Sequence, residues 1–428
     1  MTTRRKIDIF AEREDRPLGL LSADDQYGLT FQYSHDADRN ISLSLPHRND
    51  GYRDVASRAF FGNLLPENNL RDLLLQRHRL DLTDIAGLLQ QCGTDCIGAL
   101  FFASSGVSPG RLTGNLADDY EALSEADLAS IMRLLRHSQF PFGSCPVSLL
   151  PGSQPKIALT MLPDGRLARP KAGSAAPTTH ILKVPRQGEE VLVDLEFLSM
   201  RLAGQVLDGP VADVDIVDAE DMCGLLVERF DRVIEDGIVH RIHQEDFCQA
   251  LGLPGLLKYE RHGTEERCFN ADAIGHLLSQ MDQPSTARRH LLQVTVFNLV
   301  MGNADNHAKN HAILHSEGTM YLAPFYDIVP SVSKLGVTRE LSFRVGDARE
   351  AGELRRGDIP ALARALGMEV EGGDCTDEAE SAAAVIISRT LNGLESFQDE
   401  SNQFFVRMIE NRAAHISEAI DYPITKHR

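Results

Sequence analysis

Residues 302–315 read GNADNHAKNHAILH and stand directly behind the apolar run VTVFNLVM at 294–301. A buried-looking segment that breaks into paired Asn and Asp residues, a lysine and histidines spaced four apart has three readings. It is a metal-binding helix face, a catalytic loop that holds a nucleotide with its magnesium, or a solvated helix end.

On the metal reading, His307, His311 and His315 share one face of a helix, and HxxxH can hold zinc. The glutamate of a HExxH motif is missing, because Ala308 follows His307. The next stretch, AILHSEGTMYLAPF, also looks like two short strands around a Ser-Glu-Gly turn, which would end the helix before His315.

The loop reading uses other residues. Protein kinases place a catalytic Asp and a magnesium-binding Asn on one loop as HRDxxxxN. Asp305 and Asn310 have that spacing. The aspartate would accept or orient the proton of the substrate hydroxyl, and the asparagine carbonyl is a hard oxygen ligand suited to magnesium. Lys309 could neutralise charge that develops on the phosphate. A second ligand is expected just beyond a short hairpin, and Tyr326-Asp327-Ile328 stands directly behind the strand pair at 311–325.

The remaining nucleotide contacts should lie upstream. In THILKVP the alternation puts Ile181 and Lys183 on one strand face, where a lysine among apolar neighbours is costly unless paired. Glu196, on the following helix, is the carboxylate in place to pair with it; a strand-end lysine that reaches solvent is the plainer alternative. LLVERFDR would be a hinge whose backbone around Glu228–Phe230 reads an adenine edge, or simply a buried strand with a charged end. PGSQPK (151–156) is neither a Walker A nor a GxGxxG loop. Alone it reads as a turn, and in the kinase reading it covers the phosphates with Lys156 near the β or γ group.

Around these motifs the 428 residues suffice for two lobes. The expected fold class is α+β: a bilobed, protein-kinase-like fold with a mixed α/β N-terminal lobe and a mainly helical C-terminal lobe. Residues 1–110 would form an N-terminal subdomain and 111–232 the rest of that lobe with its ATP-binding strands and hinge. Residues 233–428 would form the helical lobe with the catalytic loop. Strands are expected in KIDIF, GLTFQY and ISLSLP, and helices across 52–98, in LSEADLASIMRLLRH behind an N-capping Ser124, and at 193–206. HQED (243–246) reads as a helix start in the second lobe, its carboxylates favoured by the helix dipole.

The formal charge of −19 argues against broad nucleic-acid binding by the chain alone. Seven scattered cysteines favour a reducing compartment, and Cys92 and Cys96 form an isolated CxxxC without a second pair. No signal peptide or membrane span is apparent, so a soluble, cytoplasmic protein is expected.

The motifs together resemble the HipA toxin-type serine/threonine kinases of bacterial toxin–antitoxin modules. SLSLP (42–46), FFGNLLPENNLR (60–71) and GTDCIGAL (93–100) carry the resemblance in the first third. PGSQPKIAL, THILKVP, LLVERFDR, HRIHQEDFCQALG and KYE carry it through the middle, and GNADNHAKNHAIL with PFYDI carries it in the last part. The resemblance implies ATP- and magnesium-dependent phosphorylation of serine or threonine, with Asp305 as catalytic base and Asn310 and Asp327 on magnesium. Pro151, Gly152, Ser153, Gln154, Lys156, Lys183, Glu228, Arg229, Phe230, His307, Lys309, Asn310, Tyr326 and Asp327 would contact the nucleotide. It also implies an aminoacyl-tRNA synthetase or another translation protein as substrate, and a HipB-like DNA-binding antitoxin through which DNA is reached indirectly. In the family an autophosphorylated serine stands three residues before the loop glycine, and that position here is Leu149. Either the register shifts by one and Ser148 serves, or regulation differs. Two other classes remain: a catalytically weak corepressor acting with an antitoxin, against which the intact Asp305, Asn310, Asp327 and Lys183 argue, and a small-molecule kinase, whose nucleotide-contacting residues would look the same.

Overall fold

The alternation of the first residues is realised as an antiparallel sheet. A computed structural model describes residues 3–12, 14, 16–142, 148–316, 318–334, 336–368 and 375–421; Cys145 and Glu317 lie outside the described residues, as does the side chain of Asn68. Strand Thr3–Ala11 pairs on one side with Gly19–Asp24 and on the other with Leu100–Ser104, and Leu29–Tyr33 completes the sheet at the edge. Residues of Leu29–Tyr33 are alternately buried and exposed, as a half-buried strand requires. The buried face meets helices Asp54–Phe61 and Ile85–Cys92 in a core that includes Ile7, Ile9, Leu21, Phe31, Phe61 and Leu88.

ISLSLP forms no strand. Its backbone and hydroxyls bond a carboxylate in place of a neighbouring strand: Leu43 N–H and Ser42 Oγ donate to Glu245, at 3.0 and 2.6 Å. Ile41, Ser42 and Leu45 are buried and Leu43 and Ser44 half-buried, so the alternation of the sequence is not matched by alternating burial. HQED is correspondingly a strand, His243–Asp246, that ends in a helix N-cap. Asp246 caps Phe247–Ala250 as expected, but Glu245 serves the 42–43 segment and His315 instead of a helix dipole, and the stretch belongs to the first unit described below.

The chain divides into two compact units, 1–193 with 214–255 and 314–316, and 194–213 with 256–313 and 317–428. In the first unit a second sheet of six strands runs in the order Val214–Ala219, Met222–Glu228, His180–Lys183, Lys156–Met161, Leu167–Pro170, Tyr120–Ala122. Helix Glu125–Arg136, capped reciprocally by Ser124 and Asp127, packs Ile131, Met132 and Leu135 against Ile157, Leu182 and Leu226 of that sheet. The second unit is mainly helical, with Ala271–Leu278, Pro284–Met301, Asp358–Ala365, Thr376–Gly393 and Gln403–Ala419. Its central helix starts on Pro284 at the first turn and is buried throughout from Leu291 to Met301. No helix among the described residues is long and apolar enough to cross a membrane. Cys92 and Cys96 are buried thiols, pushed up by burial to about 11 and about 12, so this CxxxC is poorly disposed to metal or redox chemistry.

The first unit is tied together by buried charge. Asp95 accepts from Arg232 Nη2 at 3.0 Å, Ser148 Oγ at 2.7 Å and Thr178 Oγ1 at 2.8 Å. Asp231 accepts from Arg229 Nε and Nη2, both at 3.0 Å, from Gly98 N–H at 2.7 Å and from Gln244 Nε2 at 2.8 Å. The network joins the GTDCIGAL stretch to ERFDR. Burial alone would raise the Asp95 carboxyl, but the charges of Arg229 and Arg232 overcome it and hold the group at about 2. Removing one member of such a buried set leaves its partners uncompensated, at a cost of about 3–5 kcal/mol. Asp95→Asn is expected to lower unfolding stability by that order in denaturant titrations. Because the folded Asp95 titrates below its ordinary value of 3.8, its contribution is complete above about pH 4 and drains as pH falls towards 2. The variant should therefore show a flatter loss of stability across that window.

Candidate functional site

The helix Pro284–Met301 ends because Gly302 adopts a left-handed conformation, φ 72°, and there the buried polar loop begins. Asn303 knots the turn. Its Nδ2 donates to Asn298 Oδ1 at 2.9 Å, and its Oδ1 accepts from Asp305 N–H at 3.1 Å. Ala304 is fixed on both sides, its N–H to Ser331 Oγ and its carbonyl from Ser342 Oγ, each at 2.9 Å. The Asp305-to-Asn310 spacing closes on itself: His307 N–H donates to Asp305 O at 2.9 Å, and Asn310 Nδ2 donates to the same carbonyl at 2.9 Å. With its Nδ2 so used, Asn310 keeps its Oδ1 as the side chain's acceptor.

This geometry disposes of the histidine helix. Ala308–Asn310 make one 3-10 turn, after which His315 lies in strand Ala312–Ser316 and meets Glu245 at 2.9 Å. His311 is buried and its ring is pushed down to about 4 by burial. No group of three or more His, Cys, Asp and Glu residues suited to a metal occurs among the described residues.

Beyond strand Ala312–Ser316 the chain folds back through Thr319–Leu322, with Ala323 N–H donating to Ala312 O at 2.9 Å. Four residues later Asp327 adopts φ 59°, unusual for a residue with a side chain, and Asn303 Nδ2 approaches its carbonyl at 3.5 Å. Asp327 thereby stands within electrostatic reach of Asp305. Burial first, and then the Asp327 charge, raise the Asp305 carboxyl, while Tyr259, Lys258 and Arg261 oppose the rise. His307 is held neutral, well below its ordinary value, by burial and by Lys258, and its Nδ1 is buried with no hydrogen-bond partner among the described residues. Tyr326 Oη donates to the Lys309 carbonyl at 2.7 Å. Asp305, His307, Lys309, Asn310, Tyr326 and Asp327 are thus gathered in the second unit.

Lys258, Tyr259 and Arg261 join this group without having been assigned any role from sequence. Tyr259 Oη donates to Asp305 Oδ1 at 2.6 Å. The signal was the KYE triplet, whose place beside the loop depends on a long-range backbone bond, Ala308 N–H to Lys258 O at 3.1 Å.

In the first unit Lys183 is buried in the central strand of the six-stranded sheet, directly opposite both Lys156 and Leu225. Direct cross-strand partners project from the same face, so two ammonium-bearing side chains are neighbours. Lys156 Nζ donates to Pro151 O at 2.6 Å, closing the 151–156 turn over Gly152, whose φ of 102° suits glycine. Arg186 Nη2 holds the Ser153 carbonyl at 2.8 Å, while the Gln154 side chain is partly buried. Glu228 is exposed at its strand end and Phe230 is half-buried. Arg229 departs from the expected hinge role: its N–H bonds Thr179 O and its side chain is consumed by the buried network, so neither points to a ligand. Ser148 likewise is buried and bonded to Asp95. Glu196 is buried on helix Val191–Val206, and most of that helix lies in the second unit.

Comparison with known proteins bears on this arrangement. Residues 8–103 match the HipA N-terminal domain and residues 148–396 the HipA-like C-terminal domain. The Sinorhizobium fredii protein Y4mE is 35% identical over 367 residues, covering 83% of this chain and 84% of its own length. The serine/threonine-protein kinase toxin HipA of Shewanella oneidensis is 29% identical over 388 residues, covering 86% and 85%. A Shewanella oneidensis HipA structure, solved as a complex with HipB and operator DNA, superposes with a TM-score of 0.80 at 26% identity over 97% of this chain and 98% of that one. Matches this long, in both domains and at full length, leave one placement: the chain belongs to the HipA family.

Proposed function

We propose that this chain is an ATP- and magnesium-dependent serine/threonine-protein kinase that acts as the toxin of a HipA–HipB-like module. The observation that carries the reading is the pairing of Asp305 with Asp327, two carboxylates in electrostatic contact beside the Asn310 amide. Like charges so placed are unfavourable unless a cation joins them, and the oxygens of Asn310 and Asp327 are the hard donors magnesium takes. The orphaned Nδ1 of His307, neutral and buried, is the kind of atom a bound nucleotide completes.

Magnesium, when bound, would neutralise the β- and γ-phosphate oxygens. Asp305 then takes the proton of the acceptor hydroxyl as its oxygen bonds to the γ-phosphorus and the bond to the leaving diphosphate breaks. Lys309 and Lys258, whose charges both act on His307, would neutralise the negative charge spread over the transferring group. Lys183 and Lys156, with the 151–156 turn, are assigned to the phosphates, and the backbone at Glu228 and Phe230 to the base. The acceptor is a protein hydroxyl, on an aminoacyl-tRNA synthetase or another translation protein, so that transfer arrests growth. The partner is a HipB-like antitoxin. With a net charge of −19, the chain would reach DNA through that partner.

Asp305→Asn should reduce phosphate transfer by about 10²–10⁴-fold, the usual worth of a positioned base, while direct titration still detects nucleotide binding. Transfer at the wild-type rate would refute the base assignment. Asp327→Ala should abolish the gain in nucleotide affinity that magnesium gives the wild type, measured by titrating nucleotide with and without the ion. Growth arrest that persists with Asp305→Asn would separate toxicity from phosphoryl transfer.

A further inference from the structure

Asp305 has a built support that the kinase reading does not require and that no similarity assigns. Tyr259 donates its single phenolic proton to Asp305 Oδ1 at 2.6 Å, in the short range of charge-assisted O–H···O⁻ bonds. The ring is itself clamped. The Arg261 guanidinium lies over its face at 3.9 Å from the centroid, and the His307 ring meets it edge-on at 5.2 Å and 77°. The backbone on either side is pinned as well. Lys258 O accepts from Ala308 N–H at 3.1 Å, and Glu260 accepts from Arg344 N–H at 2.6 Å and pairs with Arg344 Nε at 3.0 Å.

From this geometry we infer that Tyr259 is a positioning residue for phosphoryl transfer, fixing the Asp305 carboxylate so that Oδ2 meets the incoming hydroxyl. A lone carboxylate turns readily about its Cβ–Cγ bond, and proton transfer needs it held in one alignment. One strong hydrogen bond to Oδ1, from a ring that cannot move, removes that freedom. Arg261 acts through the ring, holding it face-on, and its charge also favours the ionised form of Asp305. The inference rests on the kinase reading, and it adds a residue that touches neither nucleotide nor magnesium.

Tyr259→Phe keeps the ring, its cation and its edge contact and deletes the hydroxyl alone. The purified chain and its variant are to be incubated with magnesium and γ-labelled ATP, alone and with bacterial lysate. The rate of phosphate incorporation at saturating ATP, the apparent KM for ATP, the nucleotide Kd and the thermal midpoint are then compared. The expected result is a rate lowered about 10- to 50-fold, as for loss of a hydrogen bond to a charged group, with KM, Kd and midpoint essentially unchanged. A rate within twofold of the wild type, or a loss accompanied by a parallel rise in Kd or a fallen midpoint, would overturn the positioning role and leave the kinase reading intact. No incorporation by the wild type itself would defeat both.

Discussion

The polar loop of the second unit is built around an electrostatic conflict that folding imposes: burial and the charge of Asp327 both disfavour the ionised form of Asp305. Neither position is accidental. Asp305 is fixed through Asn303, His307 and Asn310, and Asp327 sits in a left-handed backbone conformation behind a folded-back strand pair. A fold that tolerates such a pair must offset its repulsion. Here Tyr259, Lys258 and Arg261 do so in part, and the repulsion that is left is the ground on which a divalent cation is proposed there.

The first unit solves the opposite problem. In its buried set Arg229 and Arg232 pair with Asp95 and Asp231, and hydroxyls and backbone groups supply further bonds. That network runs from the N-terminal domain to the strand end at ERFDR and reaches Ser148 at the entry of the 151–156 turn. It therefore couples the placement of the turn to the integrity of the N-terminal domain. It also accounts for the arginine at the end of that strand, whose side chain is taken up by Asp231 and Thr178.

Much was legible in the sequence because it is local. The helix over 125–136 follows from its capping residues, the buried helix 284–301 from an apolar run ended by glycine, and the strand pair behind the loop from its turn. Lys183 is buried, but so is Leu182 beside it on the opposite face, so alternation alone does not account for its burial. ISLSLP failed as a strand because its polar groups found a side chain instead of a neighbouring strand: Ser42 Oγ and Leu43 N–H both donate to the Glu245 carboxylate. The same carboxylate accounts for the misreading of HQED, where a residue taken as helix-dipole support proved to be a long-range acceptor.

The sequence by itself determined the Asp305–Asn310 spacing, the hard oxygen donors and the family, since these reside in short contiguous motifs whose chemistry is fixed by residue type and separation. Tertiary structure alone decided that Tyr259 holds Asp305, that Arg229 turns inward to Asp231, and that Lys156 lies opposite Lys183. Each of these is a directional contact between segments distant in the chain. Hydrogen-bond angles and buried charge, unlike periodicity, acquire their partners only when the backbone closes.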